Sequence, residues 1–142
     1  MRVVIVSGGF DPIHSGHIEH FKEAKKLGDI LIVGLNSDEW LTRKKGKPFL
    51  PLEERLAVVK SMRPVDSAVP FNDDNDSSID LIKKALVLFD DVLFANGGDR
   101  TQDNIPEIYE FDKDPRVQFA FGVGGTHKQN SSSWILKKWN ST

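Results

Sequence analysis

Four consecutive β-branched residues, Val3-Val4-Ile5-Val6, stand almost at the start of the chain and stop at Ser7-Gly8-Gly9. A strand that is apolar on both faces has to be covered on both, which is the situation of a parallel sheet with helices on either side. The residues that follow fit that demand. Between Gly16 and Leu27, the apolar Ile18, Phe21, Ala24 and Leu27 recur every third position while Glu19, Lys22, Glu23, Lys25 and Lys26 fill the rest, so one helical face is buried. Gly28 stands where a helix C-cap is expected, and Ile30 to Leu35 reads as a second strand. The first ~35 residues therefore predict one β-α-β unit, whose crossover is right-handed.

The same alternation continues to the end. Thr42 to Pro48 is a basic loop, and Pro51 opens a helix carrying Glu53, Glu54, Arg55, Leu56, Val58 and Val59 that stops at Arg63-Pro64. Val65 to Val69 is the third strand. A helix from Ser78, with Ile79, Ile82, Leu86 and Phe89 on one side, leads to a fourth strand over Asp91 to Ala95. A short helix from Pro106 to Phe111, a fifth strand from Val117 to Phe121 and a last helix from Ser132 to Trp139 complete the chain. Strands alternating with helices predict an α/β fold: a single doubly wound, Rossmann-like domain over residues 1–142 with a five-stranded parallel sheet.

Composition narrows the function. Nineteen Lys and Arg against 21 Asp and Glu give a formal charge of -2, so no overall field would hold nucleic acid or an anionic membrane. Any phosphate must be met locally. With no cysteine, disulfides and thiolate metal sites are excluded. The opening apolar run is too short for a signal peptide, and no stretch approaches the ~20 apolar residues of a membrane helix. A soluble, cytoplasmic protein is expected.

In doubly wound sheets ligands bind at the carboxyl ends of the strands, close to the reversal of strand order. The chemistry-bearing residues fall at those ends. After the first strand comes Gly8-Gly9-Phe10-Asp11-Pro12-Ile13-His14-Ser15-Gly16-His17, a glycine turn leading to two histidines one helical turn apart at a helix start. Glycines let backbone approach a phosphate, and the helix N-terminus offers unpaired N–H groups. His14 and His17 would then donate to the charge that builds up during displacement at phosphorus. Asn96-Gly97-Gly98-Asp99-Arg100 follows the fourth strand, where Asp99 can accept from a ribose or a base. Ser131-Ser132-Ser133 opens the last helix as a second anion cradle. No protein metal cage is predicted: the histidines of the turn have no carboxylate or cysteine partner to complete a zinc set.

This turn closely resembles the His-x-Gly-His signature of the cytidylyltransferase-like nucleotidyltransferase superfamily. The likeness runs along the chain: Lys47-Pro48, Pro51-Leu52-Glu53-Glu54-Arg55, Val65-Asp66, Gly97-Gly98-Asp99 and Ser131 to Ser133 keep the order seen in glycerol-3-phosphate cytidylyltransferases and heptose-1-phosphate adenylyltransferases. The resemblance implies transfer of CMP or AMP from CTP or ATP, with Mg²⁺, to a sugar phosphate or polyol phosphate such as glycerol 3-phosphate. It implies triphosphate binding by Gly8, Gly9, Phe10, Asp11, Gly16, His14 and His17, with Asp11 holding the turn. A loop lysine would reach the phosphates; Lys44, Lys45 and Lys47 compete, with Lys44 favoured. Arg55 resembles an arginine on the acceptor side, although a surface Glu-Arg helix pair explains it equally well. One departure stands out, because Thr126-His127-Lys128 replaces the Arg-Thr that related cytidylyltransferases carry before the serine run; Lys128 or His127 would supply that charge. A homodimer is also implied by the resemblance.

Two other readings compete. Gly9 to His14 also resembles adenylyltransferases of coenzyme precursors, of pyridine-nucleotide or phosphopantetheine type. A non-catalytic module that senses nucleotide is a second. A dehydrogenase is disfavoured because Gly-x-Gly-x-x-Gly does not follow the first strand.

Overall fold

The structure, a computed structural model, describes residues 1–98, 105–125 and 132–140. Its elements run β1 (Val3–Gly8), α1 (Ser15–Lys25), β2 (Ile30–Leu35), α2 (Asp38–Lys45), α3 (Leu52–Lys60), β3 (Ser67–Pro70), α4 (Ile79–Leu88), β4 (Val92–Ala95), α5 (Glu107–Phe111), β5 (Val117–Ala120) and α6 (Ser132–Asn140). The five strands form one sheet in the order β3-β2-β1-β4-β5, with every pair parallel. Val4 of the central strand faces Leu31 on one side and Leu93 on the other.

Both faces of β1 are buried, as its unbroken β-branched run predicts. Val4 and Val6 pack with Phe21, Ala24 and Val59 beneath α1 and α3. Val3 and Ile5 pack with Leu81, Ile82, Ala85 and Phe111 beneath α4 and α5. The chain lays β1, β2 and β3 in one direction and then returns to place β4 on the other side of β1. The strand order therefore reverses between β1 and β4, the point at which open α/β sheets bind their ligands.

Two expectations are corrected. β3 begins at Ser67, two residues later than the apolar run suggested. Val65 joins the core, while the Asp66 carboxylate accepts from the amide of Leu31 and its own amide donates to the Leu31 carbonyl, so this pair precedes the regular ladder. The basic segment begins inside a helix: α2 spans Asp38–Lys45. The Ser37 hydroxyl caps it by accepting from the amide of Trp40, Asp38 and Glu39 occupy its first turn, and Arg43, Lys44 and Lys45 its last. These charges complement the helix dipole at both ends. Gly46, at φ 94°, turns the chain out of the helix.

Candidate active site

The turn after β1 is built from paired backbone and imidazole contacts. His14 is the N-cap of α1, and its Nδ1 accepts from the amide of Gly16 at 3.0 Å. The Nδ1 of His17 in turn accepts from the amide of His14 at 3.2 Å. Two orphan amides at the helix start are thereby satisfied by imidazoles where serine and glutamate would ordinarily serve. A ring nitrogen that accepts carries no proton, so each neutral ring bears its hydrogen on Nε2. The rings lie stacked, centroids 3.8 Å apart and planes 27° from parallel.

Phe10 sets the floor of this arrangement. It adopts a positive φ of 51°, and its ring meets His17 edge-on at 4.9 Å and Phe21 at 5.2 Å, joining the turn to the core. Burial, followed by the repulsion that a proton on this ring would meet from the titratable His14 and His20 and from Lys45, brings the pKa of His17 down from 6.5 to about 3. The imidazole is neutral at physiological pH, and the hydrogen on Nε2 is the one it has to donate.

Three side chains brace the turn from the β2 side. The buried Asp11 carboxylate accepts from the amides of Phe49 at 2.6 Å and Leu50 at 2.8 Å, which ties the segment after α2 to the turn. Lys45 Nζ donates to the Asp11 carbonyl at 2.7 Å and so brings an ammonium to the edge of the histidine pair. Arg55 is wholly buried. Its Nη1 donates to the carbonyls of Gly9 and Asn36, its Nε to the carbonyl of Leu50, and its Nη2 to Asp38 at 2.7 Å. The guanidinium thus clamps three segments together, at Gly9, at Asn36 to Asp38 and at Leu50, and the surface Glu-Arg pair does not describe it. Below it, Asp73 accepts from the Asn36 amide group and from the amide and hydroxyl of Ser37. Burial works to raise the pKa of Asp73, but those bonds outweigh it and hold the carboxyl below its usual range.

From the opposite side, the Ser132 hydroxyl at the start of α6 donates to the Pro12 carbonyl at 2.6 Å. The last helix is seated against the turn from across 120 residues of chain. Gly97, after β4, lies against His20 of α1 and the Val123 carbonyl. The carboxyl ends of β1, β4 and β5 are therefore gathered around the first two turns of α1.

The sequence model of the cytidylyltransferase-like family matches residues 5–137. This chain belongs to the cytidylyltransferase-like family. Among curated relatives, it is 35% identical over 134 residues to the bifunctional protein HldE of Photorhabdus laumondii, a match that covers 89% of this chain and 27% of that protein. The HldE of Yersinia enterocolitica is 38% identical over 134 residues, covering 89% of this chain and 26% of the relative. The chain spans about a quarter of the length of these relatives. Among solved structures, a lipopolysaccharide core biosynthesis protein from Thermoplasma volcanium aligns with a TM-score of 0.67 at 27% identity, over 85% of this chain and 95% of that one. A protein of unknown function from Archaeoglobus fulgidus shares the fold, with a TM-score of 0.56 at 17% identity over 93% of this chain and 96% of that one.

Against the family's pattern, the structure brings Gly8, Gly9, Phe10, Asp11, His14, Gly16, His17 and Ser132 to one turn, with Gly97 on the far side of α1. Gly98 is exposed in the loop after β4, and Ser133 is exposed on α6. Lys44, the favoured lysine, is exposed on α2 and lies over the Trp40 ring at 5.4 Å, whereas Lys45 reaches the turn. Lys47 is exposed beyond the end of that helix. Asp99, Lys128 and Ser131 lie outside the described residues, as does His127. Sequence reasoning missed Asn36, Ser37 and Asp73, which order the floor beneath Arg55. Their only signal was Ser37-Asp38-Glu39, a capping sequence that also announces α2.

Proposed function

We propose that this domain, residues 1–142, transfers a nucleoside monophosphate from CTP or ATP to a sugar phosphate or polyol phosphate and releases pyrophosphate. The observation that carries the reading is the stacked pair His14 and His17, whose Nδ1 atoms are both engaged by the turn so that their protons reside on Nε2. Two Nε2–H donors, one on each of the stacked rings, suit non-bridging oxygens of a triphosphate. An oxygen of the acceptor's phosphate, already ionised near neutral pH, attacks the α-phosphorus. A new P–O bond forms as the bond from the α-phosphorus to the bridging oxygen breaks, and that electron pair departs with pyrophosphate.

No residue of the chain needs to take or give a proton in this step. The histidines hydrogen-bond more strongly as charge accumulates, and the Lys45 ammonium adds to the field; in this role it displaces Lys44. Ser132 and Ser133 at the head of α6, with Asp99 and Lys128 beyond the described residues, would complete the nucleotide contacts. Arg55 would serve the acceptor only through the carbonyls and carboxylate it holds, since its guanidinium is enclosed. Mg²⁺ would supply charge neutralisation on the phosphates. It would ride on the triphosphate and water, because the Asp11 carboxylate is occupied by two amides.

The test is pyrophosphate release from each of CTP, ATP, GTP and UTP with Mg²⁺ and a panel of phosphorylated polyols and sugars. His17→Ala should cut turnover by about two to three powers of ten, the scale of losing a single donor to a developing oxyanion, with unchanged far-ultraviolet circular dichroism. Undiminished turnover would overturn the assignment.

A further inference from the structure

α1 carries a third histidine, one turn beyond the pair. His14, His17 and His20 stand three residues apart, yet His20 is engaged in the opposite sense. Its Nδ1 lies 2.8 Å from the Val123 carbonyl. A carbonyl only accepts, so here Nδ1 bears the proton, whereas the Nδ1 atoms of His14 and His17 accept.

The Val123 peptide is bonded on both sides. Its carbonyl receives the His20 proton, and its amide donates to the Asn96 carbonyl at 3.0 Å, just past β4. The Asn96 amide in turn donates to the Ala120 carbonyl of β5 at 2.8 Å. Two glycines permit this approach. A β-carbon at Gly97 would stand 2.9 Å from the Val123 carbonyl oxygen and 3.0 Å from His20 Nδ1. One at Gly124, where φ is 84°, would stand 2.8 Å from the His20 α-carbon. Backbone from the ends of β4 and β5 is thus pressed against a single side chain of the helix that carries the histidine pair.

We propose that His20 is a positioning residue for the nucleotide. Its imidazole sets the distance between the phosphate-facing turn and the loops leaving β4 and β5, and so the width of the crevice across which a nucleoside triphosphate is held. This rests on the proposed nucleotidyl transfer for its substrate but on the described contacts for its geometry. His20 touches no reacting atom, so its loss should be felt in nucleotide binding and little in turnover.

The experiment compares His20→Leu, which keeps bulk and removes the donor, with His20→Asn, whose side-chain amide can place an N–H where Nδ1 stands. In the full chain with Mg²⁺ and the nucleotide that wild type uses best, His20→Leu should raise KM for nucleotide roughly threefold to tenfold, the range set by one net hydrogen bond. Its kcat should stay within about twofold, and His20→Asn should return KM close to wild type. Hydrogen exchange at the amides of Val123 and Gly125 should quicken in His20→Leu and not in His20→Asn. A fall in kcat alone, or an unchanged KM in His20→Leu, overturns the proposal. If wild type releases no pyrophosphate with any nucleotide, the functional reading fails by itself. Exchange at Val123 and Gly125 then decides separately whether His20 holds these loops, and equal exchange in all three proteins overturns that too.

Discussion

The Nδ1 of His17 accepts the backbone amide of His14 while the two rings lie stacked 3.8 Å apart, so one residue fixes both the backbone and the side-chain face of the other. The helix start is thereby made from the groups proposed to act on substrate. A substitution at either position disturbs a cap and a donor together.

The depressed pKa of His17 gives a pH dependence of known sign. Below its unfolded value of 6.5 the unfolded chain takes up a proton that the folded protein refuses until about pH 3. The unfolded state binds more protons in that window, so stability is full above 6.5 and declines as pH falls toward 3. His17→Asn retains an acceptor for the His14 amide and lacks the titration. Thermal melts between pH 7 and 4 should fall less steeply for this variant than for wild type, and parallel curves would contradict the burial of the ring.

Arg55→Ala removes four donors at once and leaves the carbonyls of Gly9, Asn36 and Leu50 unpaired at the base of the turn. A loss of about 3–5 kcal/mol is expected in urea unfolding, from carbonyls left without partners at about 1–3 kcal/mol each, while Asp38 is exposed enough to be rehydrated. Arg55→Lys should recover little, because an ammonium cannot span the same fork.

Replacing Asp73 by Ala should cost about 1–3 kcal/mol, since it strands the amide of Ser37 and the side chain of Asn36. Asp73 is held below its ordinary pKa in the fold, so its contribution is complete above the unfolded value of 3.8 and disappears as pH drops through the folded one. The gap between wild type and variant in denaturant midpoint should therefore narrow at acid pH.

Lys45→Ala should reduce turnover about tenfold to a hundredfold, and Lys44→Ala by less than threefold, because only Lys45 reaches the turn. Steady-state kinetics on the two variants checks the order. Equal effects would show that the ammonium at the Asp11 carbonyl has no special place.

Much of this architecture was legible from residue order. The run Val3 to Val6 announces a strand covered on both sides, and all five strands appear where apolar runs sit between turn residues. The His-x-Gly-His turn was legible because its residue types have few other uses at that spacing. α2 was obscured, since only Trp40 and Leu41 are apolar in it and its order comes from a cap and end charges. Arg55 was misread in its alternative explanation for a similar reason: glutamates beside it suggest a wet surface, and only tertiary structure turns the guanidinium toward Gly9 and Asn36. His20 gave no signal beyond its place three residues after His17. Its partner is 103 positions away, a separation no local pattern encodes.

Arg55 sits on α3 yet grips the carbonyl of Gly9, inside the turn that holds the histidines. The shape of the histidine turn is therefore inherited from a helix that need never meet a ligand. Drift in the sequence around Leu52 to Val59 would surface in the geometry of the histidine turn long before any residue of that turn had changed, and a designer wishing to retune the proposed activity could begin there.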